Sequence, residues 1–208
     1  MGYISNPGDM FIRGASASGL IWGAANNTPP FQPTIVVPSA NPTSNATLTG
    51  VAGNLKQRRY DGYYADNLSF FTGATPVNTA YGRPEVNEPN LDYYTMMWTG
   101  YIYSPTFGDY VIETTSDDSS MLWVGDKAIS GYTVNNADVN NGGLHGSLPK
   151  DTLPNVIRME QGWYPVRIVF GEASGNAYMA MRMYKYGSSS NEYLSFSYNP
   201  NTPEGFIP

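Results

Sequence analysis

Cysteine is absent from this sequence, which excludes disulfide stapling and thiolate chemistry. Charge is scarce. Asp, Glu, Lys and Arg make up only 13% of the residues and leave a net charge of −6. That balance argues against nucleic acid as a partner, because phosphate neutralisation needs basic patches. Lys56, Arg58 and Arg59 form the one basic cluster, a local surface contact or salt-bridge site. Histidine occurs once, as His145 between glycine-rich flanks. A catalytic base needs a partner to act on or to orient it, so His145 reads as a surface residue. No run is long and apolar enough to span a membrane. The opening Met1–Phe11 lacks the charged and apolar regions of a secretory signal. Either a signal has been removed, or the protein reaches the outside by another route, as a virion component would. Gly2 fits the myristoylation pattern only in part, since Asn6 stands where Ser or Thr belongs.

What the sequence does contain is aromatic and turn-forming. Aromatics reach 14%, with 17 Tyr and 4 Trp, beside abundant Gly, Pro, Asn, Ser and Thr. This mixture predicts an all-β protein with many turns. A chain of 208 residues accommodates one domain with an extension, or two small domains. Residues 1–55 read as that extension, an extended N-terminal arm. They carry few charges, a run of small residues from Gly14 to Gly19, and prolines at 29, 30, 33, 38 and 42. Leu20-Ile21-Trp22 is a small apolar group, and Thr34 to Val37 is a short strand candidate. The arm is too poor in periodic apolar residues to form its own core. It is expected to dock on the domain or on a neighbouring subunit. Asn26-Asn27-Thr28 and Asn45-Ala46-Thr47 match the glycosylation acceptor pattern, which matters only in a eukaryotic secretory setting.

Residues 56–208 read as the domain. Tyr60 to Pro76 holds its first strand and a loop, and Val77 to Asp92 is loop-like around Pro84 and Pro89. Tyr101 to Ser104, Tyr110 to Thr115 and Met121 to Val124 are three strand-like runs. Ile129 to Leu153 reads as a long insertion whose asparagines and glycines mark turns. Val156 to Glu160 is a further strand candidate. In the late strand from Trp163 to Phe170, Val166, Ile168 and Phe170 share one face. Glu172 to Asn176 reads as a hairpin loop. The alternation Tyr-Met-Ala-Met-Arg-Met-Tyr from Tyr178 to Tyr184 puts a methionine row on a packed sheet face. Gly187 to Asn191 is a polar turn, and Tyr193 to Ser197 is a last strand.

The turn before Met121 carries adjacent carboxylates, Asp117 and Asp118, followed by Ser119 and Ser120. Adjacent acids repel, and a hard cation such as calcium gathers several oxygen ligands. Successive strand residues point to opposite faces, so both acids reach one ion only across a distorted backbone, as a cis bond provides. The plain alternative is a solvated hairpin turn.

Here the residues also carry a resemblance. Trp98-x-Gly100-Tyr101-Ile102, Pro105, Gly108 and Tyr110, Ser116-Asp117-Asp118-Ser119 and Leu122-Trp123-Val124-Gly125 follow one another in order. Gly62-Tyr63-Tyr64 with Phe70 precedes them, and Gly162-Trp163-Tyr164-Pro165-Val166-Arg167-Ile168-Val169-Phe170 follows. Together, over about residues 60–186, this resembles the protective-antigen-type (PA14) domain of yeast flocculins and epithelial adhesins, bacterial adhesins and glycosidases. The resemblance implies an antiparallel β-sandwich that binds glycans with calcium. It implies that Asp117 and Asp118 hold the ion, and that a later loop adds an asparagine, Asn199 or its substitute Asn201. Tyr132 and Tyr198 are expected to stack on the sugar, with Asn201 beside them. The absence of cysteine departs from the yeast members and fits a bacterial or viral one better. The expected role is a calcium-dependent lectin or adhesin module on an extracellular, cell or virion surface. The alternative is a non-catalytic assembly protein, homo-oligomeric or part of a virion or surface layer, that engages neighbours through its arm. No catalytic residues are expected: the paired acids offer no assured gap for glycoside hydrolysis, and no nucleophile or zinc motif is present.

Overall fold

The computed structural model describes residues 31–38, 51–188 and 195–198, with the side chains of Val51, Ala52 and Tyr198 left out. Met1–Gln32 forms a unit of its own, and Pro33–Pro208 forms the second. Leu20-Ile21-Trp22, both glycosylation patterns and most of the arm therefore lie outside the described residues. The fold is that of the second unit.

The described strands run in chain order as β1 (Thr34–Val36), β2 (Val51–Ala52), β3 (Leu55–Asp61), β4 (Asn78–Gly82), β5 (Val86–Glu88), β6 (Tyr94–Ser104) and β7 (Gly108–Asp117). They continue as β8 (Ser119–Val124), β9 (Val139–Asn141), β10 (Leu148–Asp151), β11 (Asn155–Met159), β12 (Gly162–Glu172), β13 (Ala177–Lys185) and β14 (Phe196–Tyr198). Two short helices, α1 (Phe70–Gly73) and α2 (Asp126–Ile129), interrupt them.

The strands form two sheets. The first has the order β1-β11-β7-β13-β5, with β10 also on β7. The second has the order β2-β14-β6-β12-β8-β9, with β3 on β6 and β4 on β3. Every pairing is antiparallel except β1 on β11, which is parallel. The protein is therefore an all-β, largely antiparallel sandwich. Strands appear where the sequence looks loop-like. Val77 to Asp92 contains β4 and β5, and the Ile129–Leu153 insertion contains β9 and β10. Each is only three to five residues long, too short for alternation to stand out.

Alternation decides what faces the gap between the sheets. On β6, Tyr94, Met96, Trp98 and Ile102 enter the main core. On β12, Tyr164, Val166, Ile168 and Phe170 do so, opposite Met179 and Met183 of β13. The methionine row is thus a packed face. The outer face of the second sheet is covered as well. Tyr60, Tyr64, Phe71, Met97, Met121, Trp123, Ala128 and Val169 form a second apolar cluster beneath α1 and α2. Arg58, part of a surface cluster by its sequence context, is in fact 5% exposed and donates to Thr99 Oγ1 at 3.4 Å. Its long apolar stem lets the charge pass under that cover.

Candidate functional site

The acidic stretch is not a hairpin. β7 belongs to the first sheet and β8 to the second, and a single residue, Asp118, lies between them. The chain crosses from one sheet to the other at the two aspartates, and the peptide bond joining them is cis. Behind the crossing runs a paired polar ladder. Ser116 Oγ and Ser120 Oγ lie 2.9 Å apart, and Ser120 Oγ donates to Thr114 Oγ1 at 2.9 Å. Asn141 Nδ2 donates to Ser116 Oγ at 2.9 Å and to the Leu148 carbonyl at 2.8 Å. This buried ladder ties β7, β8, β9 and β10 together at the crossing. Networks of this kind fix local geometry when every member is paired.

Asp118 is 6% exposed, and each of its oxygens accepts one main-chain N–H. Oδ1 takes the amide of His145 at 3.0 Å, and Oδ2 takes that of Ala173 at 3.0 Å. Two loops are thereby pinned to one carboxylate: the segment after β9 and the hairpin after β12. The first loop is held a second time, where Gly143 N donates to Asp66 Oδ2 at 2.6 Å. His145 contributes its backbone to this arrangement. Its ring nitrogens sit 3.0 Å and 3.3 Å from the carbonyls of Gly146 and Asn141.

The third member of the site is Glu172. Its sequence context places it in a hairpin loop, but β12 runs on through it. The signal is nevertheless present: Val166, Ile168, Phe170 and Glu172 follow one period-two row, so the acid ends an inward-facing apolar series. Glu172 is fully buried, and neither carboxylate oxygen has a hydrogen-bond partner among the described residues. One oxygen from each of Asp117, Asp118 and Glu172 lies within 4.8 Å of the others. Burial, with the charges of Asp118 and Asp117 added to it, pushes Glu172 up to about 7 against the opposing pull of the Asp118 amide. Burial and the Asp118 charge push Asp117 up as well, opposed by the Ser147 amide and by His145. Converging carboxylates, two of them held back from ionising by burial and by their neighbours, suit a cation. Hard oxygen donors in irregular array suit calcium.

Of the remaining expected residues, the described side chain is that of Tyr132, and it packs elsewhere. Tyr132 packs edge-on against Trp123, with centroids 5.5 Å apart, and the Arg167 guanidinium lies 4.0 Å over its ring. Its ring is spent on the second apolar cluster, on the outer side of β8. Asn199 and Asn201, and the side chain of Tyr198, lie outside the described residues.

Comparisons place this architecture. Residues 94–185 match the GLEYA domain family. No curated protein matches the chain. Among solved structures, the epithelial adhesin 6 A domain from Candida glabrata, in complex with Galb1-3GlcNAc, has a TM-score of 0.58 at 12% identity. That alignment covers 77% of this chain and 93% of the adhesin domain. The epithelial adhesin 9 A domain from the same yeast, also with Galb1-3GlcNAc, gives 0.59 at 12% identity, over 82% of this chain and 100% of that one. A PA14 sugar-binding domain from an RTX adhesin gives 0.51 at 12% identity, over 72% of this chain and 99% of that domain. At these identities the likeness to solved structures is one of fold. The sandwich is of the protective-antigen (PA14) type, with a GLEYA domain match over residues 94–185 that contains Asp117, Asp118 and Glu172.

Proposed function

We propose that the acidic end of the sandwich binds calcium and, through it, sugar hydroxyls, so that the protein is a carbohydrate-binding module of the lectin or adhesin kind. The observation that carries this reading is the convergence of Asp117, Asp118 and Glu172 within 4.8 Å, with both Glu172 oxygens buried and unpartnered among the described residues. A calcium ion bound there supplies coordination positions that vicinal sugar hydroxyls fill in place of water. The chain's own part is to hold the acids still. Asp118 is fixed by two main-chain donors, and Glu172 is fixed as the last residue of a core strand. Support also comes from the neighbours of like fold, which hold Galb1-3GlcNAc or beta-lactose in their structures.

Binding suits this arrangement better than hydrolysis. The acids converge on one point instead of flanking a scissile bond from two sides. Each sugar hydroxyl gained displaces a water of similar quality, so single-site affinity is modest. Useful attachment then depends on many copies acting together, as on a cell or virion surface.

The test is a glycan array read with calcium and again with a chelator, on the wild type and on Asp118→Asn. Calcium-dependent retention that Asp118→Asn abolishes is the expected result. Retention unchanged by the chelator, or no uptake of calcium in calorimetric titration, overturns the reading.

A further inference from the structure

The outer face of the first sheet differs from the covered outer face of the second. On β13, the residues alternating with the methionines are Tyr178, Ala180, Arg182 and Tyr184, and none of the four is buried. Tyr178 is 38% exposed. The row opposes Asp117, Thr115, Glu113 and Val111 of β7 in direct register. Directly opposed residues share a face, with Cβ atoms roughly 4.5–5.5 Å apart. Tyr178 therefore stands at the lip of the acidic end, beside Asp117. From there a groove of about 410 Å³ runs along the sheet, lined by Glu113, Thr115, Pro149, Tyr178, Ala180 and Arg182. Its size falls within the range of small-molecule sites.

The chemistry of this groove selects its occupant. Tyr178 offers a flat apolar ring with a polar tip, and Ala180 and Thr115 leave room beside it. Arg182 Nη2 donates to Glu113 Oε2 at 2.6 Å, with the arginine side chain 49% exposed. The pair presents both donors and acceptors, yet its charges cancel. An anionic ligand finds no surplus cation here and meets the acids next door. Among the described pairings β5 covers β13 over Ala177–Met179, so strand addition by an extended peptide is closed at the Tyr178 lip. A neutral sugar chain has what the groove matches: apolar ring faces rimmed by hydroxyls that donate and accept.

We propose that the outer face of the β7–β13 pair is an extended glycan subsite, in which Tyr178 and the Glu113–Arg182 pair hold the inner units of a neutral oligosaccharide whose terminal sugar sits at the acidic end. The proposal rests on the calcium-lectin reading above and adds chain-length selectivity to it. The decisive experiment uses the full chain with calcium on immobilised neutral mono-, di-, tri- and tetrasaccharides that share each terminal sugar. Wild type should retain the longer members about tenfold more tightly than the monosaccharide, the worth of one good aromatic contact. Tyr178→Ala should erase that advantage, leaving monosaccharide binding and calcium affinity as in wild type. Tyr178→Phe, which keeps the ring, should preserve it. Equal binding of long glycans by Tyr178→Ala and wild type overturns the subsite and leaves the lectin reading standing. A loss by Tyr178→Ala that is equal for monosaccharide and long glycans also overturns it. If wild type retains no sugar of any length in calcium, the lectin reading itself fails, and the subsite falls with it.

Discussion

Arg167 and Glu172 lie on one strand, five positions apart, and both are fully buried. An odd separation puts them on opposite faces of β12. Arg167 turns outward beneath the second apolar cluster. Its Nε donates to the Ala128 carbonyl at 2.8 Å and its Nη2 to that of Ile129 at 3.4 Å. Tyr132 stacks at 4.0 Å on the guanidinium. Burial pulls Arg167 down to about 10, which still leaves it a cation at neutral pH. Glu172 turns inward at the acidic end, beside two more carboxylates, with neither oxygen in a hydrogen bond of ordinary geometry among the described residues and only the Asp118 amide acting to hold its charge. A buried charge that the chain itself answers belongs to the architecture. A buried charge that the chain leaves unanswered calls for something from outside.

The hardest blow to this contrast falls on the answered charge. Arg167→Ala empties a fully buried site and unpairs two carbonyls, so it should cost about 3–5 kcal/mol in urea unfolding. Arg167→Met refills most of the volume and should cost about 1–3 kcal/mol, for the carbonyls left without donors. A loss under about 1 kcal/mol for the alanine variant would remove Arg167 from the architectural side of the comparison.

Next in size is the effect of the ion. Calcium at a hundred times its dissociation constant should stabilise the wild type by about 2.7 kcal/mol, read by scanning calorimetry. Asp118→Asn should abolish the increment. Arg167→Met, lying on the other face, should show the full increment on its lower baseline, because separate sites add. An increment that shrinks in both variants would mean that the two charges are not independent.

This contrast is only half legible in the sequence. The apolar rows of β6, β12 and β13 announce their inner faces by period, and Asp117 and Asp118 announce themselves by adjacency. Glu172 is hidden by its neighbours: Gly171 before it and Ala-Ser-Gly-Asn after it read as turn chemistry. Only the parity of the preceding apolar row places its side chain inward. Tyr132 is hard to place for the converse reason. A tyrosine in a polar insertion looks available to a ligand, but the sequence does not show the arginine that occupies its face. Nor does the sequence show that β7 and β8 part company at Asp118. A strand, one acid and another strand look alike whether the chain turns back within a sheet or crosses between two.

Proton binding gives a smaller effect with a definite sign. Glu172 is pushed up to about 7 in the folded protein, while an unfolded Glu titrates near its ordinary value of about 4.3. Between these values the folded state holds the extra proton, so metal-free stability falls as pH rises through this window. The fall should run on until the pH has passed about 7, where Glu172 gives up the proton. Glu172→Gln should flatten it and lower calcium affinity at the same time. Saturating calcium should turn the slope the other way, since the ion takes deprotonated carboxylates. A metal-free stability that is flat from pH 4.5 to 7 in the wild type would mean that Glu172 is answered after all.

The smallest effect is expected at the sole histidine, and it separates backbone from side chain at the acidic end. Asp118 Oδ1 accepts the main-chain N–H of His145, while the ring's hydrogen-bond partners are the carbonyls of Gly146 and Asn141 and it touches the acids only through a charge effect on Asp117. His145→Ala keeps the amide, so calcium affinity should stay within about threefold of wild type, as expected of a substitution away from the ligands. His145→Pro deletes the donor and should weaken calcium about tenfold, the worth of one hydrogen bond to a charged acceptor. Should the alanine variant lose as much as the proline one, the ring would be acting on the ion site, and the reading that the main chain holds Asp118 would be wrong. If the split holds, the two buried charges share one device. Arg167 is met by main-chain acceptors and Asp118 by main-chain donors, and Glu172 is the acid whose two oxygens lack a well-formed hydrogen bond among the described residues.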